Sequence, residues 1–505
     1  MITSHLPIFQ IIVPLIAAPL CLLLRQAFVA WLFSTVVTFV TFAISIVLLL
    51  QVLADGTQSY ELGNWAPPWG IEYLVDQLSA FILVIVSGIG ALVMPFALQS
   101  VQKEVPDDRI YLFYVMYLLC LTGLLGIVIT GDAFNLFVFL EISSLSSYVL
   151  ISLGRDKRAL TGAFNYLIMG TIGATFYVIG VGMLYMMTGT LNMADLATRL
   201  PDIIHLRVTE ASLAFLLVGI SLKLALFPLH FWLPNAYAFA PTAVTVFLAA
   251  TATKVSVYVM IRILYTVFGG TDLFESFAID EALLALGLLS MLAAALVAIF
   301  QNNIKRMLAY SSLSQIGYMI LGISLGNVAG LAAGIIHIFN HAAAKAVLFM
   351  AVGCVIMRIR AVNIEDFAGL GRQMPITMAA FVVGALSLIG VPTTVGFVTK
   401  WYLIEGAFQN GNWLAVIVIL LSGILAIVYT WRVVETAYFQ PAPQGREPVS
   451  EAPLAMVLPM VVLAGACLAF GISATWTLDI AIHAAEALMG GPEPEQLAKD
   501  FGGSR

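Results

Sequence analysis

The sequence predicts an all-α, polytopic membrane protein of about fourteen transmembrane helices. Three observations carry that prediction. Of 505 residues, 61% are hydrophobic and only 10% are charged, against roughly 25% charged in an ordinary soluble domain. That much apolar surface exceeds what one soluble core can bury, and it is the opposite of a disordered composition. The apolar residues, about 308 of them, suffice for roughly fourteen spans at about 20 residues each. Finally, the apolar runs are unbroken. A membrane β-barrel would alternate apolar and polar residues, so the spans must be helices.

The runs lie at about 7–24, 28–52, 76–98, 110–130, 133–153, 160–188, 211–230, 241–267, 281–302, 307–325, 327–357, 376–410, 413–437 and 453–473. MITSHLP lacks the basic flank of a cleaved leader, so the first helix is expected to stay. The longest connections are 53–75, 188–210 and 438–452, with a polar tail from about 490, leaving no room for a soluble domain. The net charge of −6 is spread over loops and tails, and no basic patch suggests nucleic-acid binding. Cys21, Cys120, Cys354 and Cys467 are far apart within apolar runs, show no metal spacing and read as small core residues.

Orientation follows from the basic residues. One set of alternate connections holds thirteen: Arg25, Lys103, Arg109, Arg155, Lys157, Arg158, Lys305, Arg306, Arg358, Arg360, Arg372, Arg432 and Arg446. The other holds five: Arg199, Arg207, Arg262, Lys499 and Arg505. Fourteen spans then place both termini on the non-cytoplasmic side. The last four basic residues, Lys223, Lys254, Lys345 and Lys400, fall within the membrane.

A lysine at mid-bilayer costs at least about 2.5–3.5 kcal/mol, so four of them and a glutamate need a reason. Snorkelling accounts for Lys305, beside a short loop. It fits Lys254 poorly, because that residue lies midway along 241–267. Glu141 sits eight residues into an apolar helix in GDAFNLFVFLEISSLSSYVLI. A buried carboxylate keeps its charge when an ammonium is near, and Lys223, in VGISLKLALFPLHFWLP, is its natural partner. Such a pair either relays protons or forms a static strut between helices.

Pro228 and Pro234 follow Lys223, and Pro392 precedes Lys400 in GVPTTVGFVTKWYLIEG. Proline inside a membrane helix frees a backbone carbonyl and marks a broken helix beside a polar or wet cavity. Two broken helices, each with a lysine, in separate halves suggest an inverted repeat. In HIFNHAAAKAVLF, His337, His341 and Lys345 follow at i, i+4 and i+8 and share one helix face. Histidine both accepts and donates a proton near neutrality, so the stripe reads as a relay; a metal site would lack a carboxylate or cysteine to complete it. The hydroxyls of RMLAYSSLSQIGYM, namely Tyr310, Ser311, Ser312 and Ser314, with Gln315 beside them, either hold water or pack helix on helix. Asp132 and Asn135 read as a helix cap.

Together GDAFNLFVFLEI, HFWLPNAYAFAPTAV with ATKVSVY, KRMLAYSSLSQIGYM, HIFNHAAAKAVLFM and GVPTTVGFVTKW resemble the proton-conducting membrane subunit family. That family comprises the antiporter-like subunits of respiratory complex I, their counterparts in membrane-bound hydrogenases, and the large subunits of Mrp-type cation/proton antiporters. The resemblance runs along nearly the whole chain. It implies two inverted five-helix bundles with breaks near Lys223 and at Pro392–Lys400. The expected division is a three-helix segment at 1–109, bundles at 110–267 and 281–437, and a last helix with its tail at 438–505. By motif, Glu141 and Lys223 are the coupling pair, Lys254 the central lysine, His337, His341 and Lys345 the relay, and Lys400 the terminal lysine.

Lysine rather than glutamate at position 400, and GNWAPPWGIEYLVDQLSA, look most like the D-type large subunit of Mrp antiporters. Asn235 and Tyr237 stand where many complex I-type members carry an acid or a histidine, which leans the same way. The resemblance implies a subunit of a hetero-oligomeric Na⁺/H⁺ antiporter in the bacterial inner membrane, a transporter component rather than an enzyme. The alternative is a proton-pumping subunit of a complex I-like oxidoreductase or a hydrogenase. No nicotinamide, flavin, quinone or iron–sulfur motif occurs, so no cofactor is expected and redox chemistry would belong to partners.

Overall fold

The computed structural model describes residues 3–269, 273–274 and 277–490. Each of the fourteen apolar runs lies on helix. In chain order the elements are α1 (Leu6–Leu23), α2 (Ala27–Asp55), the hairpin β1 (Gln58–Glu61) and β2 (Glu72–Val75), α3 (Gln77–Glu104), α4 (Ile110–Ile129), α5 (Ala133–Ser152), α6 (Arg158–Thr188), α7 (Met193–Arg199), α8 (Arg207–Leu224), α9 (Leu233–Phe239), α10 (Thr242–Ala250) and α11 (Ala252–Ile261). Then follow α12 (Ile279–Ile299), α13 (Ile304–Ser324), α14 (Val328–Ile359), α15 (Pro375–Ile389), α16 (Val395–Gln409), α17 (Trp413–Phe439), α18 (Leu454–Ile472) and α19 (Thr475–Leu488). Eleven helical segments among the described residues are long and apolar enough to cross a membrane. The remaining three runs form α8, α13 and the broken α15–α16.

Capping side chains set the helix starts. Asp76 accepts from Ser79 N, Asp132 from Asn135 N, Asn303 from Arg306 N and Asn327 from Gly330 N. The cap reading of Asp132 therefore holds. Two isolated bridges expose the repeat. Asp132 pairs with Asn192 after α6, and Asn303 pairs with Asn363 after α14. The second pair follows the first by 171 residues at both positions. The first bridge lies at the hairpin end of the bundle and the second at the opposite end, so the two halves run inverted. The long helices they follow, α6 and α14, have 31 and 32 residues, and a broken helix comes after each.

Both breaks use an unusual backbone. Ala225 has φ 61° and Thr393 φ 76°, two of four described non-glycine residues in the left-handed region. A β-branched residue there is held by its surroundings against a cost of about 1–3 kcal/mol.

Four details depart from the sequence reading. The run 241–267 is not one continuous α-helix: it breaks at Thr251 and ends in a π-helical turn at Arg262–Val267. Arg262 is no loop residue but is buried, with its guanidinium on Asp76. Lys305 does not snorkel; its ammonium is buried and donates to the Ala240 carbonyl at 2.6 Å. Residues 475–488, which lie between the last apolar run and the polar tail and belong to no run, form α19, which packs on α3 and α14. Lys499 and Arg505 lie outside the described residues. The thirteen basic residues of the richer set stand at the end opposite the hairpin.

Helices α6 and α8 cross at glycine, as small residues allow in membranes. A Cβ at Gly219 would sit 2.6 Å from the Gly173 carbonyl oxygen and 2.8 Å from Tyr177 N. Backbone cannot yield as a flexible side chain does. Gly219→Ala is therefore expected to destabilise the purified protein by about 1–3 kcal/mol, read as a lowered Tm, and to displace Lys223 one turn away.

Candidate functional site

The first group stands where α5 meets the end of α8. Lys223 Nζ lies 3.4 Å from Glu141 Oε1 and donates to Ser144 Oγ at 2.8 Å. The ammonium thus holds the hydroxyl closely and the carboxylate loosely. Lys223 is 5% exposed and Glu141 25%, so the carboxylate faces outward from this chain. Behind Lys223 is a cavity of about 20 Å³, lined by Ser143, Ser147, Tyr166 and, from α11, Ser256. A site needs about 10–15 Å³ to hold a water, so one fits between the coupling pair and the next helix.

Lys254 is fully buried just past the Thr251 break. It donates to the carbonyl of Ala249 and approaches the Thr253 hydroxyl at 3.4 Å. The break explains its position, since it loosens the carbonyls that an ammonium can take. Lys345 does the same one helix away, donating to Leu308 O at 2.8 Å and to the Ser311 hydroxyl. Lys400 donates to Ile389 O and approaches Leu388 O at 3.4 Å, the last carbonyls of α15 at the second break. Among the described residues, none of these three lysines forms an ion pair.

His337 and His341 lie between them with rings parallel to within 8° and centroids 5.7 Å apart. His337 Nδ1 meets Thr399 Oγ1 at 3.1 Å. His337 Nε2 and both ring nitrogens of His341 are buried without a partner among the described residues. The charge of Lys254 acts on His337, His341 and Lys345, and that of Lys400 acts on His337. The groups adjoin in the order Glu141, Lys223, Lys254, the Lys345–histidine group, Lys400, since Lys223 pairs with Glu141 and the helices pack in succession, α8 on α11, α11 on α14 and α14 on α16. Unpartnered imidazole nitrogens between ammonium groups are sockets for water or for a transferred proton.

Sequence reasoning passed over several members of this cluster. Tyr318 lies with its ring 5.3 Å from Lys400 Nζ and 5.7 Å from His337. Asn340 donates to Thr399 Oγ1 at 2.8 Å, orienting the hydroxyl that His337 meets. Each stands inside a motif already singled out, but which helices meet there is not written in spacing. The serines divide. Ser311 belongs to the Lys345 site, whereas Ser314 donates to Met291 O at 2.9 Å and packs helix on helix. Among the described residues no His, Cys, Asp and Glu cluster suits a metal ion.

Residues 130–426 match the family described as NADH:quinone oxidoreductase/Mrp antiporter, TM. The chain is 41% identical over 479 residues to the N subunit of NADH-quinone oxidoreductase from Desulforudis audaxviator, covering 91% of this chain and 94% of that protein. It is 31% identical to the D subunit of the Na(+)/H(+) antiporter from Alkalihalophilus pseudofirmus, covering 88% and 89%. A chain in the solved Mrp complex from Dietzia sp. DQ12-45-1b superposes with a TM-score of 0.88 at 25% identity, covering 97% and 98%. Fold, length and motifs agree: this multi-pass membrane protein belongs to the NADH:quinone oxidoreductase/Mrp antiporter transmembrane family.

Proposed function

We propose that the chain carries protons across the membrane as one subunit of a multisubunit monovalent cation/H⁺ antiporter, with Na⁺ as the cation. The observation that carries this reading is that the ammonium groups of Lys254 and Lys345, fully buried, and of Lys400, part-buried, meet carbonyls and hydroxyls instead of carboxylates. A fixed structural charge is poorly served by such surroundings. A proton carrier needs them, because its neutral form must be accessible too. In this reading Glu141 and Lys223 couple the chain to its neighbour, Lys254 receives the proton, His341, His337 and Lys345 relay it, and Lys400 passes it on. Partner membrane subunits cover the outward-facing Glu141. The basic-rich end faces the bacterial cytoplasm, placing the hairpin and both termini on the far side. The bundles at 110–267 and 281–437 form the two halves of the path, with 1–109 and 438–505 bracing them.

The second reading is a proton-pumping subunit of a redox-driven complex, favoured by the 41% identity to an oxidoreductase subunit. Purification of the native assembly separates the two. The antiporter reading expects several small membrane proteins, cation-dependent proton exchange in vesicles, and no flavin or iron–sulfur absorbance. A co-purifying redox chromophore would replace it with the second.

A further inference from the structure

The break at Thr251 hands two neighbouring carbonyls, Leu248 O and Ala249 O, to side chains. An unbroken helix would bring the amides of Ala252 and Thr253 to them. Here those two residues open the new helix α11, and the amides of Lys254 and Val255 both turn to Thr251 O at 3.0 Å. The Thr251 amide, shared between Phe247 O and Leu248 O, is the last backbone donor before the break. Lys254 Nζ donates to Ala249 O. Its counterpart on Leu248 O is a phenol, since the Tyr237 hydroxyl donates there at 3.2 Å. The Thr253 hydroxyl reaches both donors: it lies 3.4 Å from Lys254 Nζ and bonds to the Tyr237 hydroxyl. Lysine and tyrosine thus hold adjacent carbonyls of one break and share one threonine.

Helix α9, seven residues long, fixes where the phenol sits. Just before it the Trp232 indole donates to Leu222 O at 3.0 Å, beside Lys223, and stacks on Tyr166. Just after it Ala240 O takes the Lys305 ammonium, and Thr245 Oγ1 donates to Tyr237 O at 2.9 Å. Tyr237 itself is 1% exposed, with its ring edge-on to Phe349 of α14. Packing alone would be served as well by phenylalanine, which has no hydroxyl to satisfy. The hydroxyl instead occupies the carbonyl next to the one that Lys254 takes.

We propose that Tyr237 and Thr253 are positioning residues that keep the break open for the Lys254 ammonium. The proposal rests on Lys254 as a proton carrier. While the ammonium has Ala249 O as its acceptor, the protonated form is favoured. Closing the break would return Ala249 O to the Thr253 amide and Leu248 O to that of Ala252, and the ammonium would lose its acceptor. The Tyr237 hydroxyl on Leu248 O opposes that closure, and the Thr253 hydroxyl gives the ammonium a second acceptor. Together they set the pH at which Lys254 lets its proton go. No proton passes through the tyrosine, whose single hydroxyl proton stays on Leu248 O.

The test uses the assembled complex. Tyr237→Phe removes one oxygen and keeps the ring, and Thr253→Val keeps the branched shape without the hydroxyl. Each should move the pH profile of cation-dependent proton exchange in vesicles to lower pH by about half to one pH unit, the size of one hydrogen bond's net contribution. The maximal rate should stay close to that of the unaltered complex. Neither change touches the other groups around Lys254. These are His337, His341 and Lys345 from α14, Lys223 of α8 on Glu141, Lys305 of α13 on Ala240 O, and Arg262 on Asp76. Helices α4 and α10 carry no charged side chain. An unmoved profile in Tyr237→Phe, or a rate lowered equally at every pH, overturns the proposal, because a packing role does not displace the profile. If Tyr237→Phe fails to assemble, Thr253→Val decides by the same criterion. If Lys254→Gln abolishes exchange while both hydroxyl variants keep the original profile, the positioning role fails and the axis stands. Normal exchange in Lys254→Gln removes the carrier, and the proposal with it.

Discussion

Lys400→Arg is expected to lose cation-dependent proton exchange as completely as Lys400→Ala, on the order of a hundredfold, with the complex still assembled. The reason lies at the second break. Lys400 sits on the last carbonyls of α15, and the glycines beside it leave room for its stem and ammonium: a Cβ on Gly390 would meet its Cδ at 2.6 Å, and one on Gly423 its Nζ at 3.2 Å. No carboxylate pairs with it among the described residues, so a charge kept there permanently has little to stabilise it. Arginine supplies the charge and the donors but does not deprotonate in proteins. A lysine that only ties the broken helix together would be rescued by arginine. Dye-quenching measurements in vesicles across a pH series decide, and near-normal exchange in Lys400→Arg removes this residue from the proton path.

Glu141→Ala and Lys223→Ala should each abolish exchange while leaving the protein inserted. At 3.4 Å, with Ser144 closer at 2.8 Å, the pair is loose enough for the ammonium to trade the carboxylate for the hydroxyl. That exchange of partners is what would let the proton on Lys223 move toward α11 when the charge outside Glu141 changes. A static strut predicts the reverse pattern, with lost assembly and normal transport in whatever complex remains. Blue-native gels beside vesicle assays separate the outcomes. Full exchange by either assembled variant takes the pair out of the mechanism.

Much of this architecture was legible from composition and local pattern. Lipid offers no partner to a backbone N–H, so every long apolar run had to be helical, and every run is mainly helix, 241–267 and 376–410 with a break inside. Glu141, Lys223, Lys254 and Lys400 stood out because a charge in an apolar run is costly wherever the helix ends up. The proline-marked breaks were readable for the same local reason, since proline removes a hydrogen bond whatever its neighbours. The stripe of His337, His341 and Lys345 needed only helical periodicity.

Tertiary structure decided what those residues touch. Thr251 breaks its helix without proline or glycine, so no local signal announced the carbonyl that Lys254 takes. Tyr318 and Thr399 join the histidines and Asn340 from two other helices, and sequence spacing carries no information about which helices cross. Arg262 read as a loop cation because it stands near the end of an apolar run. Only the approach of α3 brings Asp76 to it and turns both into the floor of a cavity. Hydrophobicity and hydrogen-bond satisfaction act residue by residue along the chain and can be read there. Pairing of buried polar groups depends on helix packing, which is settled only when the whole bundle forms.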